Sequence, residues 1–268
     1  MTTRRKFVPL EMLVSAEQLQ LADGFDLEKF RHSTTVRGKR LDWLCLSRRL
    51  LWMACGHEHI EPELLDWIDS IPQGAVMYDI GASNGIFAMY AVACGLRVIA
   101  IEPDPANYFL LSYNNYLNAS ANGVALEGCY NLAVSETMGV GRMHIKRMEL
   151  GGHEKILDKA QDVFGHTFLP EYSHPVLKCS LDELVGIMKL PQPAYLKIDV
   201  DGAEAEVLAG AEECLKKVRS VFIELTESFL KEFAQNFFAQ RGFAIASKQQ
   251  VQNYAGLYNC IFEKKAGK

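Results

Sequence analysis

The sequence predicts an α/β protein with a doubly wound, mostly parallel sheet and an N-terminal helical cap in front of it. Three observations carry this. Strand-length apolar runs near 76–80, 97–101, 124–130, 194–199 and 219–224 alternate with helices starting near Asn84, Pro105, Ser180, Ala203 and Glu227, an order that implies parallel pairing through right-handed crossovers. A turn of small residues, "GASNG", joins the first of these strands to its helix. At the end, "GFAIASK" and "LYNCIFEKK" are joined by a polar stretch without helical period and read as a closing hairpin.

The elements follow in chain order. From Glu11 to about Ser70 apolar residues recur at spacings of three and four, in "EMLVSAEQLQLADGF" and more densely in "LDWLCLSRRLLWMACG", where Gly56 reads as a terminator. "IEPELLDWIDSI" is a third amphipathic segment with Pro62 in its first turn, where a missing N–H is tolerated. Residues 1–70 are therefore expected to form the cap and 71–268 the main domain. "IFAMYAV" reads as the amphipathic helix after the glycine turn. Between about 142 and 178 the chain is longer than a βα connection usually is and holds four of the seven histidines, so it is expected to be a lid or substrate loop.

Composition narrows the function classes. With 49% hydrophobic and 23% charged residues the chain is an ordinary globular one. A net charge of -5 gives no overall attraction for nucleic acid, so a small-molecule substrate is expected. The longest apolar run, Ile86 to Cys94, is far short of the ~20 residues of a membrane span. The basic start "MTTRRKFVPLEMLV" is interrupted by Glu11 and lacks a cleavage site, and a cytoplasmic, non-membrane protein is expected. The seven scattered cysteines include no C-x-x-C pair, so no zinc or redox couple is expected.

"YDIGASNGIFAMYAV" supplies the chemistry of a ligand site. Gly81 and Gly85 let the backbone turn without a Cβ in the way. Glu102 ends the next strand, where its carboxylate can accept two hydrogen bonds from a ribose diol, and Pro103 follows it. A dinucleotide fingerprint would need glycines where Ser83 and Ile86 stand. Asp79 adds negative charge, unfavourable for a pyrophosphate and favourable for a cation. S-adenosylmethionine, phosphate-free and cationic at its sulfonium and ammonium, meets these conditions. Ser83 and Asn84 are expected to cap the helix and offer contacts to the ligand.

"AYLKIDVDGAEAEVLAG" is the second dense stretch. Alternation places Lys197 and Asp199 on one face of a strand, with Asp199 at its carboxyl end, where open α/β sheets bind ligands. Asp201 and Glu204 open the next helix, where acids suit the dipole.

Taken in order, "YDIGASNGIFAMYAV", "AIEPDPANYFLLSYNNYLN", "NLAVSETMG", "SLDEL", "LKIDVDGAEAEVLAG" and "VFIELTE" resemble the FkbM-type methyltransferases, a group of class I S-adenosylmethionine-dependent enzymes. The resemblance covers about Met77 to Glu227, and Asp201 stands where the family usually has glutamate. It implies a seven-stranded, Rossmann-like class I methyltransferase fold whose final hairpin supplies one antiparallel strand. It also implies cofactor contacts from Asp79, Gly81, Asn84, Gly85 and Glu102, with Asn131 and Ala133 near the adenine.

The expected reaction is O-methylation of a hydroxyl on a small molecule or glycan, with Asp199 as base or orienting group and Lys197 tuning it. His153, His166 and His174 are rival bases, and "HEH" at 57–59 reads as plain surface. No metal site is predicted, although Asp199 and Glu224 could share a divalent cation. A nicotinamide-dependent oxidoreductase and a noncatalytic nucleoside-binding module are the alternatives. Neither the methyl acceptor nor the oligomeric state can be read from the residues.

Overall fold

The computed structural model describes residues 9, 12–24, 26–252 and 254–265. The basic start and Glu11 lie outside them. The chain begins with α1 (Ala16–Asp23) and a single 3-10 turn (Leu27–Phe30), then β1 (Arg31–Val36), β2 (Lys39–Leu44), α2 (Arg48–Ile60) and α3 (Pro62–Ser70). The main layer follows as β3 (Val76–Ile80), α4 (Ile86–Ala93), β4 (Arg97–Ile101), α5 (Pro105–Asn122) and β5 (Gly128–Tyr130). Next come β6 (Ala133–Val134), β7 (Gly139–Ile145), β8 (Lys155–Leu157), β9 (Tyr172–Cys179) and α6 (Leu181–Met188). The chain closes with β10 (Tyr195–Ile198), α7 (Glu204–Ala209), α8 (Glu212–Lys217), β11 (Ser220–Thr226), α9 (Glu227–Phe229), α10 (Gln235–Gln240), β12 (Phe243–Gln250) and β13 (Leu257–Lys264).

The central sheet has seven strands in the order β12-β13-β11-β10-β3-β4-β5. All pairs among β11, β10, β3, β4 and β5 are parallel, and β13 runs antiparallel to both of its neighbours. The doubly wound sheet and its closing hairpin are those expected. No helix of the described residues is long and apolar enough to cross a membrane.

The cap departs from an all-helical reading. Residues 31–44 form a β-hairpin, β1 against β2, turning on Arg37 and Gly38, both with positive φ (44° and 79°). Such two-residue turns match the twist of the flanking strands, and "HSTTV" carries the β-branched residues that strands favour. Ser47 caps α2 by accepting from the Leu50 N–H, and the helix runs through Gly56 to Ile60.

The reason for a cap lies in α4. Ile86 to Ala91 are all buried, so this helix is apolar all round rather than amphipathic and needs cover on the side away from the sheet. Leu41 and Trp43 of β2 and Leu64, Leu65, Trp67 and Ile68 of α3 supply it, in one cluster with Met77, Val98 and Ala100 of the sheet. The backbone of β2 finds its partners on α5. The Asn114 side chain accepts from the Leu44 N–H (2.8 Å) and donates to the Asn84 carbonyl (2.8 Å). Asn118 accepts from the Asp42 N–H (2.9 Å) and donates to the Asp42 carbonyl (2.8 Å). Two asparagines thus act as a strand edge.

The segment expected as a long loop is instead strand-forming. β7 and β9 pair antiparallel from Gly139↔Lys178 to Ile145↔Tyr172, and with β8 and β6 they make a separate four-stranded sheet, order β6-β9-β7-β8. Its inner face buries Met143, Ile145, Leu157 and Val176. Short runs broken by charges and Pro175 hid this pattern. Smaller differences are that β5 is confined to 128–130, that residues 203–217 form two short helices, and that residues 230–234 form a π-helical turn.

Candidate active site

The parallel register of β3 and β10 sets Asp79 directly beside Lys197. The Lys197 ammonium lies 3.0 Å from Asp79 Oδ1 and 3.4 Å from Asp199 Oδ2, and donates to the Gly81 carbonyl at 2.8 Å. Burial opposes its charge, but Asp79, Asp199 and Glu61 outweigh burial and hold the lysine above its ordinary pKa. Lys197 therefore stays charged and binds the strand end, the glycine turn and Asp199 into one unit.

Gly81 (φ 78°) is required twice over. Its φ is left-handed, and a Cβ there would stand 1.8 Å from the Asp199 carbonyl oxygen. The turn continues through Ser83 (φ 51°) and Gly85 (φ 82°), and Gly85 occupies the cap position of α4 without a side-chain cap. A Cβ on Gly85 would meet Leu111 Cδ1 at 2.5 Å, so this glycine serves helix packing.

Above the turn opens a cavity of about 680 Å³, within the ~300–1,000 Å³ range of small-ligand sites. Gly81, Ala82, Ser83, Glu102, Pro103, Leu132 and Ala133 line it together with Lys197, Asp199, Asp201, Glu61 and Glu224. Glu102 is only 5% exposed. Its Oε2 accepts from the Ser83 N–H (2.7 Å) and its Oε1 from the Asp104 N–H (2.9 Å). A carboxylate has about four acceptor positions, so each oxygen can still take a further hydrogen bond. Burial pushes its pKa up to about 7 against these two amides.

Of the residues expected to hold a cofactor, Gly81, Ser83, Glu102, Pro103 and Ala133 line the cavity. Asp79, Asn84, Gly85 and Asn131 are not part of its lining. Asp79 is fully buried behind Lys197, with its pKa raised by burial against the pull of that lysine. Asn131 donates to the carbonyls of Glu102 (2.9 Å) and Pro103 (3.0 Å), so it fixes the loop that carries Glu102. Asn84 is 4% exposed and offers its carbonyl to Asn114.

The carboxylates beside Asp199 titrate abnormally. Burial, then Asp199 and Glu61, push Glu224 up to about 10, and burial with Asp199 pushes Glu61 up to about 8. Asp201 accepts from the Glu154 N–H (2.8 Å), tying the smaller sheet to the cavity wall, as does the buried pair of Lys155 with Asp104 (2.6 Å). Among the rival bases, His153 lines the cavity, held between Arg49 (2.9 Å) and the Tyr254 hydroxyl (3.5 Å), while His166 pairs with Asp162 (3.2 Å) and His174 contacts the Pro175 carbonyl (3.0 Å). The surface reading of "HEH" does not hold for His57, which is 1% exposed and ringed by Trp43, Phe87 and Tyr90. Among the described residues, no group of three or more His, Cys, Asp or Glu is placed to hold a metal ion.

Sequence reasoning missed Trp52, Glu61 and Tyr254, all on the cavity wall. They carry no local motif.

The family described as Methyltransferase FkbM domain matches residues 79–245. The chain belongs to this family. The match takes in the glycine turn, Glu102 and the Lys197–Asp199 strand, leaves out the cap and ends within β12, the first strand of the last hairpin. Hexuronic acid methyltransferase AglP of Haloferax volcanii is 26% identical over 160 residues, covering 59% of this chain and 59% of AglP. Methyltransferase sdnD of Sordaria araneosa is 28% identical over 200 residues, covering 66% of this chain and 77% of sdnD. The chain thus spans less than two thirds of AglP. Among solved structures, methyltransferase FkbM from Methylobacillus flagellatus superposes with a TM-score of 0.48 at 16% identity, over 71% of this chain and 43% of that one.

Proposed function

We propose that this FkbM-domain chain is an S-adenosylmethionine-dependent O-methyltransferase acting on a hydroxyl of a small molecule or glycan. The observation that carries the reading is the buried Glu102 carboxylate, set over the Gly81–Ser83 turn with acceptor positions free for a ribose diol. Leu132 and Ala133 offer an apolar seat for a base beside it. The residues fit this cofactor better than a dinucleotide. The basic side chains on the wall are already engaged, Arg49 with the Gly151 carbonyl, Lys155 with Asp104 and Lys197 with Asp79. A pyrophosphate would find no free lysine or arginine in the described lining and would lie beside the Asp199 carboxylate, which attracts a cation instead.

When bound, S-adenosylmethionine would supply a methyl group activated by its sulfonium for transfer to the acceptor oxygen, with the sulfur as leaving group. The protein then has two tasks, holding the acceptor in line and removing its proton. Asp199, partly exposed at the strand end and held by Lys197, is assigned as the base or orienting group. Lys197 is its positioning residue. Gly81 and Ser83 form the turn under the cofactor, while Asp79, Asn84, Gly85 and Asn131 support that turn and the Glu102 loop. The glycan part of the reading draws on AglP, named for a hexuronic acid.

Calorimetry with S-adenosylhomocysteine and with NAD tests the cofactor. Binding of the first alone is expected, and binding of NAD alone would reverse the assignment. Asp199→Asn is expected to lower labelled-methyl turnover by about 10²- to 10⁴-fold, the range of a positioned base, with cofactor affinity kept. Unchanged turnover rules Asp199 out, and a wild type that binds cofactor but transfers no methyl points to a noncatalytic module.

A further inference from the structure

The family match runs from 79 to 245, yet part of the cavity wall draws on segments outside it. Trp52 and Glu61 come from α2 and its turn into α3, and Tyr254 from the connection between β12 and β13. Trp52 is 60% exposed, while Trp43 and Trp67 are 2% and 4% exposed. Phe164 and Tyr254, also on the wall, are 44% and 45% exposed. Large rings left open on the rim of a cavity gain free energy only when an apolar face covers them.

The polar groups narrow what that face belongs to. Among the described residues, seven carboxyl side chains line the cavity, of which Glu61 and Glu224 are held protonated by burial, beside three lysine or arginine cations that each already have a partner. An anionic acceptor would lie beside the Asp199 carboxylate and find no lysine or arginine of the described lining free to pair with it. A flat aromatic phenol would cover a ring but offer the carboxylates a single hydrogen to accept. A neutral pyranose has both an apolar C–H face and several hydroxyl donors. Glu61, pushed up to about 8 by burial and Asp199, carries its proton at neutral pH and can donate to a hydroxyl as well as accept from one.

We propose that the methyl acceptor is a neutral, sugar-like polyol whose apolar face packs on Trp52 and whose hydroxyls are read by Glu61. The segment ahead of the family domain is then the specificity element of the enzyme. This rests on the methyl-transfer reading above.

The test uses the full chain loaded with S-adenosylhomocysteine, titrated with a panel of neutral methyl pyranosides, with glucuronic acid and with catechol. Shielding of tryptophan fluorescence from iodide is read, and Trp52 dominates the quenchable signal because the other two indoles are buried. At least one neutral pyranoside is expected to shield Trp52 and to accept label from S-adenosylmethionine, with glucuronic acid and catechol roughly tenfold weaker or worse. Trp52→Ala should lower kcat/KM for that pyranoside roughly tenfold, mainly through KM, with Trp52→Phe recovering part of the loss. Glu61→Gln should retain more activity than Glu61→Ala. Preference for glucuronic acid or catechol, an unchanged kcat/KM in Trp52→Ala, or no shielding by any neutral pyranoside while S-adenosylhomocysteine binds would overturn the proposal alone. Failure of the folded chain to bind S-adenosylhomocysteine removes the methyl-transfer reading, and the proposal falls with it.

Discussion

Glu102 and Gly81 place opposite demands on their positions, one for a charge and one for the absence of a side chain. Replacing Glu102 by Ala removes an acceptor of charged hydrogen bonds worth about 1.5–3 kcal/mol, so the Kd for S-adenosylhomocysteine should rise roughly 10- to 150-fold by calorimetry. Gly81→Ala would force a methyl into the Asp199 carbonyl, so it should lower both Tm and turnover, whereas a variant at Gly38, which has open space around it, should lower Tm by backbone strain alone. His57 makes a pH prediction. Burial holds its folded pKa down at about 3, so its contribution to stability is full above the unfolded value near 6.5 and is lost as pH falls toward 3. At pH 5 that loss is about 2 kcal/mol, and His57→Phe should unfold with a visibly flatter acid limb. Much of the cavity lining was legible at this scale. Gly81, Glu102, Lys197 and Asp199 sit at strand ends, where alternation and the parallel order fix which way a residue faces. Trp52 and Glu61 were not legible, because only tertiary packing carries a helix end from the cap to the carboxyl edge of β10.

Elements obeyed their patterns where one face was buried and departed from them where a neighbour supplied the missing half. β3, β4 and β10 fell within a residue or so of the positions expected from their apolar runs. The hairpin of β1 and β2 did not, because Trp43, Leu46, Leu50 and Met53 also satisfy a helical spacing across its boundary, and the strand becomes preferable only once Asn114 and Asn118 occupy its open edge. Replacing either asparagine by Ala leaves buried backbone groups unpaired, and each change should cost about 1–3 kcal/mol in urea unfolding. The smaller sheet depends on a buried ion pair. Asp104→Ala strands the Lys155 ammonium and should cost about 3–5 kcal/mol, measured by denaturant unfolding, whereas removing both charges with well-packed apolar residues should cost far less.

For the molecule as a whole, the cap and the sheet share one core. Trp67 packs on Phe222 and donates to the Ser220 hydroxyl at 2.9 Å, so residues 1–70 should not melt separately from 71–268. A single transition with coincident fluorescence and circular-dichroism curves is expected, and two transitions would refute a shared core. The carboxylates around Asp199 act in the opposite sense to His57. Glu61 and Glu224 have folded pKa values raised to about 8 and about 10, so their contribution is full below the ordinary value of 4.5 and is lost as pH rises through 8 to 10. Glu224→Gln should therefore flatten the fall of Tm on the alkaline side. One last property follows from how the sheet ends. On one flank β5 is three residues long, and on the other β12 is kinked by a register shift between Ile245 and Ser247 and carries Lys248 and two glutamines outward. A stubby border on one side and a bent, charged border on the other give a neighbouring molecule no straight backbone to zip onto, which guards the protein against ribbon-like aggregation.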